Sequence, residues 1–559
     1  MSVDVSKLIG RPVIIGGGAA GLMTALALAP EPVVLLSKSP LGAEASSMWA
    51  QGGLAAAVGE DDDPSLHLED TLAAGAGLCD ETAARRIVEA APAAVERLAQ
   101  LGVAFDRHAD GVWSLGLEAA HSRKRIVHAT GDGTGREIMR ALIAAVRRCA
   151  SVTLLEGVEA RRLMVDDNAI QGVVAMRGDE PLILATRRVV IATGGIGGLF
   201  LDSTNPAGCF GQGLALAARA GAVLSDLEFV QFHPTAFDGP ARPLPLLTEA
   251  IRGDGAVLID DTGTRFMADE PGAELAPRDV VARAVWRRRA QGHRVFLDAR
   301  DKPGKDFAAR YPVISAFCGM AGIDPARDPI PVRPAVHYHM GGIAVDAMGR
   351  STVEGLWACG EASRTGLHGA NRLASNSLME AIVCAQWVAE SVAGAPQRAG
   401  KPCEVAAMPP ASDPSAVRPL LSHALGVMRE RRTIVAAVSS LLPLAEQAGP
   451  TADPALVGLM LAVAAHARQE SRGAHFRSDC PDTLPVAQPS SFTLPEAIAV
   501  ARDIVEAEQT PLRSAVPRLS ILSRPCSTSR WYAWRCSRIS AVPATSPPMP
   551  SCPPSSARR

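Results

Sequence analysis

Three glycines, Gly16, Gly18 and Gly21, follow the apolar run Val13-Ile14-Ile15 with the spacing G-x-G-x-x-G. That spacing suits a tight strand-to-helix turn whose bare backbone lets N–H groups reach a pyrophosphate, with the anion at the positive end of the helix dipole. Ala19 and Ala20 lie inside this turn, and the mostly apolar run Leu22–Ala29 reads as the helix it opens. A second polar cluster, Ser46-Ser47-Met48-Trp49-Ala50-Gln51-Gly52-Gly53, has the small side chains of a loop that hugs a ligand. A third stretch, Leu117-Glu118-Ala119-Ala120-His121-Ser122-Arg123, places a carboxylate, an imidazole and a guanidinium close together, although alone it reads as a solvated polar loop.

These residues need a scaffold, and the chain supplies one in pieces. Pro32–Leu36 reads as a second strand, completing a βαβ unit. Where a dinucleotide fold normally carries an acid for the ribose, about 20 residues on, this chain has Ser37 and Lys38. Two more strands end in glycine turns: Arg187–Ile191 before Thr193-Gly194-Gly195, and the run Val353–Cys359 before Gly360-Glu361. Three such strands are what a flavin-binding, doubly wound α/β sheet needs. Between Leu227 and His339 the texture changes to prolines and isolated catalytic-type side chains, as in an inserted domain. Helical patterns at Leu420–Ala436, Ala455–Ala467 and Leu494–Glu508 suggest a small helical domain after a Pro- and Ala-rich linker. The organisation predicted is an FAD-binding domain over 1–226 and 339–408, a capping α+β domain over 227–338, and a C-terminal helical domain over 409–510. The Ser-, Pro- and Arg-rich tail 511–559 is expected to be disordered.

Composition narrows the class. A chain of 559 residues exceeds one core. The net charge of −2 hides a basic tail, since no acid and eight arginines follow Glu508. The remaining body is mildly acidic, which argues against a nucleic-acid surface. No uncharged apolar run is long enough for a membrane span, and no secretory signal is visible. The 11 cysteines are scattered without a C-x-x-C pair. That usage predicts reduced thiols in a cytoplasmic protein and no bound metal.

Taken in order, several motifs resemble the flavoprotein subunits of succinate dehydrogenase and fumarate reductase, with L-aspartate oxidase among them. They are GGGAAG, SKSPLG with AQGG, Gln231-Phe232-His233-Pro234-Thr235, and Leu247-Thr248-Glu249-Ala250 with Arg252-Gly253-Asp254-Gly255. Ala276-Pro277-Arg278-Asp279, His337-Tyr338-His339-Met340-Gly341-Gly342 and the run from Gly366 to Glu380 (GLHGANRLASNSLME) complete the set. The resemblance runs from residue 10 to about residue 481. It implies FAD held by the glycine turn, Ser37, Lys38, the 46–53 loop, the 193–195 turn, Gln212, Glu361, Ser377 and Leu378. Members with covalent flavin use a histidine where this chain has Ser46, so noncovalent FAD is implied.

For the substrate, the resemblance implies Arg372 with His337 on one carboxylate, His233 and Thr248 on the other, Glu249 nearby, and Arg278 in proton transfer. A glutamate three residues before a His-Ser pair marks the aspartate-oxidising members, and Glu118 precedes His121-Ser122 in this way. A carboxylate there pairs with an ammonium and repels plain succinate. The implied reaction is oxidation of L-aspartate to iminoaspartate with O2 or fumarate as acceptor, the first step of quinolinate and NAD synthesis. A quinolinate-forming enzyme is the implied partner. The alternatives are a soluble fumarate reductase or succinate-oxidising flavoprotein, and an idle flavoprotein scaffold. Two departures stand out: Ala119-Ala120 where the family has Gly-Gly, and Gln212 where it has Asp. Without the motif, Arg278 reads as a salt-bridge partner of Asp279, and His108, His128 and His466 as surface or satisfied histidines.

Overall fold

The computed structural model describes residues 5–401 and 407–509, so the tail expected at 511–559 lies outside the described residues. A five-stranded parallel sheet carries the first part of the chain. Its strand order is Leu356–Ala358, Val189–Ile191, Val13–Ile15, Val33–Ser37, Val152–Glu156. The three glycine-terminated strands are thus immediate neighbours, with Val13 paired to Val189 and Val189 to Leu356.

Alternation within these strands explains the layering. Val13, Ile15, Val34, Leu36 and Ile191 pack into one apolar cluster, while Ile14, Val33, Leu35 and Val190 pack into the other. A strand buried on both faces reads as an unbroken apolar run, as Val13-Ile14-Ile15 does. Each fully buried Val, Leu or Ile contributes roughly 1.5–3 kcal/mol, enough to fix the sheet on both sides. The helices Ala19–Ala27 and Asn376–Ala393 cover one face together. Ala19–Ala27 begins three residues before the apolar run that predicted it, because Gly18 serves as its N-cap.

Residues 230–339 form a second, antiparallel sheet in the order Val230–Phe237, Ile330–His339, Val295–Asp298, Val257–Asp260. Its own core includes Leu258, Leu297 and Ile330 against Val281 and Val285 of the Arg278–Ala290 helix. The pairing of the two long strands brings His233 and His337 side by side.

The last described part is helical: Val417–Ala424, Arg431–Glu446, Ala452–Ala467 and Leu494–Gln509. The single helix predicted over Leu420–Ala436 is two helices. Between them Arg429 turns fully inward, donating to the carbonyls of Gly426 and Glu228 and to His475 Nδ1. No described helix is long and apolar enough to cross a membrane, and no described cluster of His, Cys, Asp or Glu is arranged to hold a metal.

Candidate active site

The carboxyl ends of the parallel strands open into one cavity of about 780 Å³, closed on the far side by the 230–339 segment. In an open α/β sheet this is where ligands bind. The glycine turn forms its floor. Gly16 has φ +126°, and a Cβ there would lie 2.1 Å from the Ala192 carbonyl oxygen. A Cβ at Gly21 would lie 2.0 Å from the Gly16 carbonyl oxygen. Gly21 therefore serves helix–strand packing, which holds the turn in shape, and is not among the residues lining the cavity. Gly195 is likewise off the lining. Its missing side chain makes room for the Glu361 carboxylate, which a Cβ would meet at 2.2 Å.

The other residues expected around the cofactor all border the cavity. Ser47 Oγ accepts from Ala19 N at 3.3 Å, tying the 46–53 loop to the helix N-terminus. Ser46 Oγ accepts from Asn205 Nδ2 at 3.2 Å. Ser37 Oγ donates to the Ser39 carbonyl at 2.6 Å, and Lys38 pairs with Glu159 at 3.4 Å. Gln212 donates from Nε2 to the same Glu159 at 2.9 Å. An aspartate at 212 would instead face that carboxylate, so the family departure has a local physical reason. Glu361 accepts from His339 N at 2.9 Å. Burial lifts its carboxyl to about 7, against the opposing effects of that bond and Arg372.

A dinucleotide fits this half of the cavity on features of the chain itself. The turn presents bare backbone at the end of a nine-residue helix. Two buried polar atoms at the site, Gln51 Oε1 and Thr193 Oγ1, have no hydrogen-bond partner among the described residues, a costly arrangement unless a ligand completes it.

The other half is built for anions. Arg372 is buried, and among the described residues it pairs with no carboxylate: Nε donates to Gln231 Oε1 at 3.2 Å and Nη1 to Ser377 Oγ at 3.0 Å. Burial and the neighbouring Arg278 charge pull its pKa to about 10, so it remains a cation at neutral pH. His337 Nδ1 meets Thr204 Oγ1 at 2.8 Å. His233 Nδ1 accepts from Thr235 N at 3.3 Å, which assigns the proton to Nε2, a buried atom without a partner among the described residues. The two rings stand 5.2 Å apart. Burial first, and then the surrounding arginines, hold both imidazoles well below their usual range, so both are neutral donors. Thr248 borders the same space.

Arg278 is not paired with Asp279. Its Nε meets Glu249 Oε2 at 2.5 Å and its Nη1 reaches Gln231 Oε1 at 3.3 Å. Asp279 instead holds Arg283 at 2.8 Å and accepts from Asn371 at 3.1 Å. Glu249 also lies 3.6 Å from Arg252, so a buried Arg–Glu–Arg chain leads away from the cavity. Glu249 thus borders the space expected for substrate, but its carboxylate is engaged by arginine.

Glu118, on a segment that reads as a solvated loop, is 3 % exposed and faces the cavity. Its Oε2 accepts from Ser375 Oγ at 2.6 Å. Burial, and then the Glu249 charge, raise its carboxyl above the usual range, while Arg278, Ser375 and Arg372 oppose the shift. Ala120 takes φ +64°, the left-handed region that glycine enters at little cost. His121, next in the chain, is also buried and bonds the Ala374 carbonyl at 3.0 Å. His108 is exposed and His466 half-buried, while His128 bonds the Gly52 backbone.

Sequence reasoning passed over three members of this cluster: Gln231, which joins the two arginines, Ser375, which holds Glu118, and Tyr338, whose ring lies 4.9 Å from the Arg372 guanidinium. Each stood inside a quoted motif, but nothing in its type distinguished it from its neighbours.

Comparison with known proteins agrees with this geometry. An FAD binding domain model matches residues 11–378, and a fumarate reductase flavoprotein C-terminal model matches 444–491. An L-aspartate oxidase of Mesorhizobium japonicum is 61% identical over 494 residues, covering 88% of this chain and 96% of its own. One from Agrobacterium fabrum is 54% identical, over 88% and 95% respectively. Among solved structures, an E. coli quinol fumarate reductase chain superposes with TM-score 0.78 at 28% identity, covering 86% of this chain and 94% of its own. A Mycobacterium smegmatis Sdh1 chain does so with TM-score 0.72 at 30% identity, covering 86% and 94%. A doubly wound sheet with a glycine turn, an anion-binding pocket facing it and relatives this similar over nearly their full length lead to one assignment: the chain belongs to the L-aspartate oxidase family of FAD-binding flavoproteins.

Proposed function

We propose that this protein oxidises L-aspartate to iminoaspartate, using FAD and passing the electrons to O2 or fumarate, with Glu118 as the residue that selects the amino acid. The observation that carries the reading is Glu118: a buried carboxylate placed among Arg372, Arg278, His233 and His337, in a pocket otherwise suited to dianions. FAD, when bound, supplies the two-electron acceptor for the Cα–H and the amine. Every other contribution comes from this chain. Arg372 and His337 hold one substrate carboxylate, and the Nε2–H of His233 with Thr248 holds the other. Arginine's planar fork gives the first contact its direction. Glu118, kept in place by Ser375, receives the ammonium and fixes the orientation of Cα.

Arg278 is the proton-transfer group when fumarate is reduced. A guanidinium is a credible acid but a poor base; in aspartate oxidation the ammonium gives its proton to the Glu118 carboxylate, and the neutral amine that remains asks for no further base to lose hydride. Its link to Glu249 and then Arg252 supports that role. Ser46 in place of a linking histidine supports noncovalent FAD. The domain reading follows from the same division of labour: 1–226 with 339–408 binds FAD, 227–338 caps the substrate, and 409–510 braces both. A cytoplasmic setting suits the seven free cysteines among the described residues. The imine product hydrolyses in water, which favours a quinolinate-forming enzyme as its immediate consumer in NAD synthesis.

Aerobic turnover of L-aspartate should yield oxaloacetate and ammonia after imine hydrolysis, with one peroxide per aspartate. Replacing O2 by fumarate should yield one succinate instead. Peroxide formed without loss of aspartate would refute the assignment.

A further inference from the structure

Beside Arg372 lies a largely buried polar cluster to which the proposed function gives no part; Tyr338, its member nearest the guanidinium, also borders the cavity, and Thr365 is half-buried. The Tyr338 ring faces the Arg372 guanidinium at 4.9 Å. Its hydroxyl donates to Glu380 Oε2 at 3.0 Å. His368 Nε2 meets the same oxygen at 2.9 Å, and Thr365 Oγ1 donates to Glu380 Oε1 at 2.5 Å. Four elements converge here: the end of the Ile330–His339 strand, the residues just after Ser363–Arg364, the His368 turn and the first turns of the Asn376–Ala393 helix.

The arrangement answers a physical difficulty. A guanidinium that is to receive a substrate carboxylate must be buried, charged and free of a protein carboxylate that would compete for its fork. An aromatic face meets those conditions, because it attracts the cation without occupying its N–H donors. The Tyr338 phenol stays protonated, since burial and then Glu380 push its pKa well above the usual range. Its hydrogen bond to a carboxylate adds electron density to the ring and strengthens the face that Arg372 meets. Burial pushes Glu380 up, but His368, Thr365 and Tyr338 together hold it below the usual range, so it remains the anion that polarises the phenol.

We infer that Tyr338 is a positioning residue for substrate binding: its ring face, polarised through Glu380, holds the Arg372 guanidinium charged and aimed at the substrate carboxylate in place of a counter-ion. This rests on the reading of Arg372 as the carboxylate fork. The test keeps the two apart.

The assay is the dissociation constant of succinate, read from the perturbation of the bound flavin's absorbance in the holoenzyme. Arg372→Leu alone tests the fork, and an unchanged constant there would overturn that reading. Tyr338→Leu should weaken succinate about 10- to 30-fold, the range of a desolvated cation–π contact, and Tyr338→Phe, which keeps the ring, less than threefold. In the Arg372→Leu background, Tyr338→Leu should add less than twofold, because its effect passes through the missing guanidinium. A Tyr338→Leu effect below threefold, an equal loss in Tyr338→Phe, or a full-sized effect without Arg372 would each overturn the inference while leaving the fork intact. If Tyr338→Leu does not retain FAD, phenylalanines carrying one, two and three ring fluorines at position 338 replace it. A stepwise weakening of succinate with each fluorine supports the inference, because shape is nearly constant while the ring face loses charge. A flat series overturns it.

Discussion

Replacing Glu118 by glutamine isolates the charge on which substrate choice depends. The side chain is 3 % exposed, so its contact with an ammonium is desolvated. Glutamine keeps the volume, and its carbonyl can still accept the Ser375 hydroxyl that Glu118 takes at 2.6 Å. The fold of the segment should therefore survive. What disappears is a charge-assisted contact of about 1.5–3 kcal/mol, equivalent to a loss of roughly 10- to 150-fold in kcat/KM for L-aspartate. Fumarate reduction should be preserved or improved, because fumarate has no ammonium and the site loses one negative charge beside Glu249. Both activities can be followed on one preparation, peroxide formation for aspartate and reoxidation of reduced flavin for fumarate. Equal losses in the two reactions would mean a damaged loop, and no loss would return Glu118 to the scaffold. Either result refutes the reasoning.

Arg372→Leu leaves a substrate carboxylate in a dry pocket without its fork. It should cost about 2–5 kcal/mol, or roughly 30- to several-thousand-fold in kcat/KM for aspartate and fumarate alike. A loss below tenfold in both would show that another cation holds that carboxylate. Ala120→Gly relieves a left-handed alanine at φ +64°; it should stabilise the protein by about 0.5–1 kcal/mol, and a lowered Tm would contradict the strain. Buried histidines set the response to acid. Burial is the main cause that holds His67 near 3 and both His121 and His339 near 4, against an ordinary 6.5. The unfolded chain takes up protons below pH 6.5 that the folded chain refuses, so stability is full above 6.5 and falls toward pH 4. Each such group costs about 1.4 kcal/mol per pH unit in that window. Glu361, with its carboxyl lifted to about 7, takes up a proton in the fold and works the other way, but the three histidines outweigh it; Tm should drop by several degrees from pH 7.5 to 5.5, and an equal Tm would refute the assignment of these imidazoles as neutral.

What could be read from the sequence follows from how local each cause is. Val13-Ile14-Ile15 and the glycines after it specify a strand, a turn and a helix within nine residues, and the strand's apolar run on both faces places it inside a parallel sheet. The site residues lie far apart in the chain and were legible only through motifs. Their partners were not. Arg278 beside Asp279 invites a local pair, yet the carboxylate that holds it is Glu249, 29 residues away. Glu118 sits between a polar sequence and a buried environment because Ser375, 257 residues on, closes over it. The false continuous helix over Leu420–Ala436 has the same origin: Arg429 leaves the helical path for partners contributed by Glu228 and His475, which no local periodicity encodes.

The central claim, that this site oxidises an amino dicarboxylate and not a plain one, is tested most directly by mixing the oxidised holoenzyme with single substrates in the absence of oxygen. L-aspartate should bleach the flavin completely, while succinate should only perturb its spectrum. Bleaching by succinate with none by L-aspartate would contradict the account.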